Sequence, residues 1–306
     1  MTHAARAGAD GWRSVTERGS ARLLGLTAWL AIRFGRAPLR LLMYPIAFYF
    51  YCTAPVQRRA ARDFLRRATR REPQPREVWR QFVCFALTAL DRFYFLSGHT
   101  AGFELVRDDA DRIMTQPPGR GGVLLMSHLG VFDLLRATAR DDRVKVSIVM
   151  DRRHGQVFTN LLERLDPALA TRVIDARRPG PLLALTVKQA VDEGALVGIM
   201  ADRVAGAQRS AICEVLGAQV ALPVGAYLLA GALAVPLIVA FGLYEGGARY
   251  RARFELLDER GAPEERSARA AFLAQRYADR LTEFATRYPH NWFNFYDFFG
   301  DAAAGD

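Results

Sequence analysis

From Phe103 to Leu256 the chain alternates short apolar runs with stretches of helical periodicity, and this alternation restricts the fold more than any other feature. The runs are FELV from 103, GVLLM from 122, VKVSIVM from 144, TRVI from 171, ALVGIM from 195, VPLIVAF from 235 and YRARFEL from 250. Helical spacing falls at about 131–141, 155–165, 181–193, 223–233 and 266–287, with Pro223 placed for a first helical turn. Unbroken apolar runs suit strands that are covered on both faces. The pattern therefore predicts an α/β fold with a central, largely parallel or mixed sheet flanked by helices. Gly246-Gly247 should join the last two strands as an antiparallel hairpin at the sheet's edge. Upstream, Val78–Leu96 reads as a largely buried helix whose polar stripe, Arg80, Cys84, Thr88 and Arg92, recurs at every fourth residue. With no internal repeat and no long linker, two regions are expected: a helical one at 1–75 and the α/β domain at 76–306.

Ligands of open α/β sheets sit beyond the carboxyl ends of the strands. Four runs end there in ionisable groups: Ser127-His128, Asp151-Arg152-Arg153, Asp175 with Arg177-Arg178, and Asp202-Arg203. Strand ends are often polar merely because they emerge into water, so the histidine is the informative member. His128 ends a strand and Asp133 opens the following helix, in HLGVFD. A tight bend at Gly130 would let the two side chains meet. A carboxylate accepting the imidazole N–H would fix its tautomer and support a general base. GxSxG is absent and no Ser, Cys or Lys motif supplies a nucleophile, so direct attack by a substrate hydroxyl or amine is implied.

Net charge is +10, but residues 1–80 hold +11 of it through 16 Arg against five acids, leaving the other 226 residues at −1. A basic leader on a neutral body points to a polyanionic partner, either an anionic membrane or nucleic acid. The arginines are interleaved with Leu23-Leu24, Trp29-Leu30, Leu41-Leu42 and Phe48–Tyr51, which a bilayer solvates and nucleic acid does not. Leu41–Gln57 is uncharged for 17 residues but carries Pro45 and Pro55. Since a spanning helix needs roughly 20 apolar residues, the segment reads as a membrane-lying anchor or shallow hairpin in preference to a single span, with a buried helix of the main domain as the other reading. Three widely spaced cysteines, Cys52, Cys84 and Cys213, indicate neither a disulfide framework nor a zinc site.

HLGVFD between a strand and a helix resembles the H-x4-D/E motif of the lysophospholipid acyltransferase superfamily. The order of features resembles the bacterial lipid A biosynthesis (lauroyl/myristoyl) acyltransferase branch: a basic apolar N-terminus, the His motif near residue 130, a strand ending in GIMADR, and an aromatic tail. The resemblance implies transfer of a fatty acyl group from an acyl carrier protein or coenzyme A thioester to a lipid or glycolipid acceptor, without a metal or other cofactor. It places the chain at the cytoplasmic face of the inner membrane, with anionic lipids and acyl carrier protein as partners and nucleic acid as none. His128 takes the position of the family's base and Asp133 that of its partner carboxylate. Asp202 and Arg203 are implied to position acceptor or thioester, and Arg152 or Arg153 to contact phosphate. Asp-Arg stands where that branch has Asp-Gln, and the FPEG-type block of glycerol-phosphate acyltransferases is missing, so the acceptor stays open. The tail YPHNWFNFYDFF is expected either to strap the sheet or to wall an acyl channel. A lipid esterase or thioesterase, with water as acceptor, is the rival enzyme reading, and an Arg-rich nucleic-acid-associated protein is the non-enzyme one.

Overall fold

The computed structural model describes residues 35–108, 121–138, 145–151, 162–206 and 208–300. In chain order these form helices α1 (Arg36–Thr53), α2 (Pro55–Thr69) and α3 (Pro75–Leu96), strands β1 (Glu104–Asp108) and β2 (Gly122–Met126), and helix α4 (Phe132–Thr138). There follow β3 (Val146–Met150), α5 (Pro167–Ala170), β4 (Val173–Asp175), α6 (Gly180–Asp192), β5 (Leu196–Met200), β6 (Ser210–Val215) and β7 (Ala218–Pro223). The chain continues through α7 (Gly225–Leu233), β8 (Leu237–Gly246), β9 (Arg249–Leu256) and α8 (Arg266–Arg287) to a 3-10 turn at Pro289–Asn291.

The fold is α/β, with a mixed central sheet flanked by helices. Its order among the described residues is β1-β9-β8-β2-β5-β3-β4. Strands β8, β2, β5, β3 and β4 run parallel, and β9 turns back antiparallel to β8. Every residue of β2 is buried, as its central place and its GVLLM composition require. Two features differ from the sequence expectation. The β8–β9 hairpin is not the sheet's edge, because β1 adds in parallel outside β9. Pro223 ends β7 rather than opening a helix, and β6 and β7 form a separate antiparallel pair that the apolar pattern concealed. Its register turns on Leu216-Gly217, both left-handed, a short hairpin signal weaker than Asn-Gly.

The leader's described part belongs to the body. Leu39, Met43 and Ala47, at helical spacing, are buried on one side of α1, and α2 inserts Phe64 and Leu65 into the core. The helices break at Ala54, before Pro55, whose missing N–H suits a first helical turn. Buried Asp91 of α3 takes both forks of Arg36 at 2.7 and 2.6 Å and the Tyr250 hydroxyl at 2.7 Å. Part of the leader's charge is thus spent inside the fold. The opposite side of α1 is apolar and exposed through Leu41, Leu42, Tyr44, Ile46, Phe48 and Tyr49. Among the described residues no helix is long and apolar enough to cross a membrane.

Candidate active site

Strands β2 and β5 are parallel neighbours in register, Met126 opposite Met200. Two residues beyond each end, His128 and Asp202 therefore face one another across adjacent loops. The His128 backbone N–H donates to Asp202 Oδ2 at 2.9 Å, and ring Nδ1 lies 3.0 Å from Oδ1. With the carboxylate as acceptor, the proton sits on Nδ1 and leaves Nε2 as the basic nitrogen. Asp202 is wholly buried, whereas 34% of the His128 side chain is open to the cavity it lines. Burial, and then the Arg203 charge, pull the His128 pKa below its ordinary value against the counterpull of Asp202. Burial pushes the Asp202 carboxyl up, but the charge that His128 carries when protonated, together with its hydrogen bonds and Arg203, more than reverses this. The pair is a neutral imidazole on an ionised carboxylate, the state a general base requires.

Asp133 is not the histidine's partner. It is buried in the first turn of α4, where its carboxylate accepts from Arg92 Nε of α3. The cause is the bend. Gly130, at φ +84°, donates to Asn291 O at 2.7 Å and Val131 donates to Gly242 O at 2.6 Å, so the start of α4 is tied to β8 and turned toward α3. A Cβ on Gly130 would lie 2.0 Å from Gly242 O, which leaves glycine as the residue that fits. Burial raises the Asp133 pKa, and the Arg92 charge and hydrogen bond oppose it.

A cavity of about 370 Å³ brings His128, Asp133, Arg92 and Arg203 together. Its remaining wall is mostly apolar, with Phe85, Phe132, Phe293 and Phe295 prominent. Arg203 is braced by the tail: Nε donates to Asn294 Oδ1 at 3.2 Å and the guanidinium lies 4.8 Å over the Tyr296 ring. Within the tail, Trp292 is fully buried, while Phe293, Phe295 and Tyr296 line the cavity. Asp151 and Asp175 do not join the site. Both pair with Arg177, at 3.3 and 3.0 Å, beyond β3 and β4. Arg152 and Arg153 lie outside the described residues. Among the described residues no cluster of His, Cys, Asp and Glu is arranged to hold a metal ion.

Arg92 is the site residue that sequence reading used only as part of a helix stripe; its four-residue spacing from Thr88, a second cavity residue, was the available signal. No family model and no curated protein matches the chain. Among solved structures it is similar to the 1-acyl-sn-glycerophosphate (LPA) acyltransferase PlsC from Thermotoga maritima. The identity is 14% and the TM-score 0.37, over 80% of this chain and 97% of that one.

Proposed function

We propose that the protein is a membrane-associated acyltransferase. It moves a fatty acyl group from an acyl carrier protein or coenzyme A thioester to a hydroxyl or amine of a lipid or glycolipid acceptor. The supporting observation is the His128–Asp202 pair opening onto a cavity whose wall is mostly apolar and aromatic. His128 Nε2 takes the acceptor's proton as its oxygen or nitrogen attacks the thioester carbonyl, and Asp202 supports the imidazolium that forms. The guanidinium of Arg203 faces the developing oxyanion. Collapse of the tetrahedral intermediate breaks the carbon–sulfur bond, the thiolate leaves, and the imidazolium returns its proton to the sulfur. Because a thiolate leaves readily, a base, orientation and a water-poor acyl site are the main requirements. Burial pushes the Cys84 thiol up to about 12 and that of Cys213 up to about 11, which argues against either as a covalent carrier.

The exposed apolar side of α1 supports a peripheral seat on the cytoplasmic face of the inner membrane. Purified protein given a labelled acyl thioester and membrane lipid is expected to yield a labelled ester or amide. Release of free fatty acid alone would make the enzyme a hydrolase and overturn the transfer reading.

The charge beside the base gives a pH test. A base must be deprotonated, so kcat/KM falls as pH drops through the His128 pKa. Arg203→Gln removes the cation that, after burial, depresses that pKa, and the acid limb of the profile is expected to move to higher pH. The plateau should also fall by about a hundredfold or more, the usual cost of losing a group that stabilises an oxyanion. An unmoved acid limb would separate Arg203 from the base.

A further inference from the structure

A second cavity, of about 640 Å³, lies between α1, α3, the β8–β9 turn and the 3-10 turn, and shares no lining residue with the one at His128. The stripe on α3 is divided between them: Thr88 and Arg92 face the first, Arg80 and Cys84 the second. Three arginines from three elements line it, Arg40, Arg80 and Arg287. Arg40 is fixed by donating to Gly247 O at 2.7 Å and to the Tyr244 hydroxyl at 3.2 Å. Its nearest carboxylate, Asp91 at 3.8 Å, is already neutralised by the two-pronged contact with Arg36. Neither Arg80 nor Arg287 has an ion-pair partner among the described residues. The cavity's acid, Glu245, is engaged by Arg249 at 2.8 Å and Arg251 at 2.6 Å. His290 adds a buried ring nitrogen, Nε2, with no hydrogen-bond partner among the described residues. Burial and the nearby Arg80 charge hold this histidine down at about 4, so it is neutral near neutral pH and available for a hydrogen bond.

Converging guanidiniums are the usual receptors for phosphate, because their planar forks match its oxygens. From the uncompensated charge, the cavity and the unpartnered imidazole nitrogen, we infer that Arg40, Arg80, Arg287 and His290 form a binding site for a phosphate-bearing group, separate from the catalytic cavity. The site is placed for a lipid headgroup: Tyr44 lines it and is also part of the exposed apolar side of α1. A headgroup held there would register the protein on the membrane surface, and a soluble phosphate ester would use the same contacts.

The test uses the full chain and does not depend on acyl transfer. Glycerol 3-phosphate is titrated calorimetrically, and binding to phosphatidylcholine vesicles with and without phosphatidylglycerol is followed by sedimentation. The variant is Arg80→Gln/Arg287→Gln; both side chains are exposed, so its melting temperature should be that of the parent. The control, Arg172→Gln/Arg260→Gln, removes the same charge from exposed positions elsewhere. Loss of two charge-assisted contacts should weaken glycerol phosphate binding at least about tenfold, with the control unaffected. A parallel loss on phosphatidylglycerol vesicles assigns the site to lipid headgroups; a loss confined to glycerol phosphate assigns it to soluble esters. Absence of saturable glycerol phosphate binding by the parent, or an equal loss in the control, overturns the proposal.

Discussion

Asp202→Asn is expected to lower kcat/KM for acyl transfer on the order of ten-thousandfold while leaving the protein folded. The carboxylate does two things at once: it accepts the His128 backbone N–H at 2.9 Å and holds Nδ1 at 3.0 Å. Asparagine has the size for both places but not the chemistry. With its oxygen on the backbone N–H, its amide N–H₂ faces Nδ1 and selects the tautomer protonated on Nε2, which cannot act as a base. Loss of the correct tautomer with geometry intact costs catalytic triads about that much. His128→Ala should lose at least as much, and the double variant little more, because the two residues act as one unit. Asp133→Asn should behave differently. It strips Arg92 of its buried counter-charge, and breaking such a pair with one partly exposed member should cost about 2–3 kcal/mol of stability. Thermal melting and steady-state kinetics on the four variants separate these outcomes. If Asp133→Asn impairs kcat at unchanged stability while Asp202→Asn is nearly silent, the base is oriented by Asp133 and the geometry described above is not the working one.

The same contrast marks what could be read from the chain. Runs such as GVLLM and ALVGIM announced buried strands because burial on both faces leaves no alternation, and HLGVFD announced the site because a histidine at a strand's end is unusual. The partner of that histidine was not legible. Spacing along the chain favoured Asp133, five residues away, whereas contact is decided by strand order, and β2 lies beside β5, whose Asp202 is 74 residues distant. Adjacency of parallel strands is set by crossover topology, which local periodicity does not encode. Likewise the leader's arginines read together as charge for a membrane surface until the fold places Asp91 and Tyr250 around Arg36. The β6–β7 hairpin went unseen because residues of β7, AQVALP, continue into apolar α7 with no polar interruption, leaving Pro223 as a punctuation mark with two readings.

Trp292→Ala is expected to be the most destabilising single change in the tail, by about 3–5 kcal/mol, the usual cost of emptying a fully buried tryptophan site. Its ring sits edge-on to Phe64 of α2 at 5.1 Å and to Phe298 at 4.9 Å. Its carbonyl accepts from buried Gln81 of α3 at 2.6 Å, and its backbone bridges Leu129 beside the histidine. One residue thus fastens leader helix, α3 and the His128 loop to the tail, so the melting temperature should fall and, on the proposed mechanism, kcat with it. For a chain of this size the melting shift is roughly 6–15 °C. The indole also carries a cost: among the described residues nothing accepts its buried Nε1–H. Trp292→Phe removes that unpaired donor, whose burial costs about 1–3 kcal/mol, along with part of the ring. The two effects oppose, and the phenylalanine variant should therefore melt within a few degrees of the parent and keep most of its activity. Equal damage from both substitutions would mean that the indole nitrogen, not the packing of the ring, holds the tail in place.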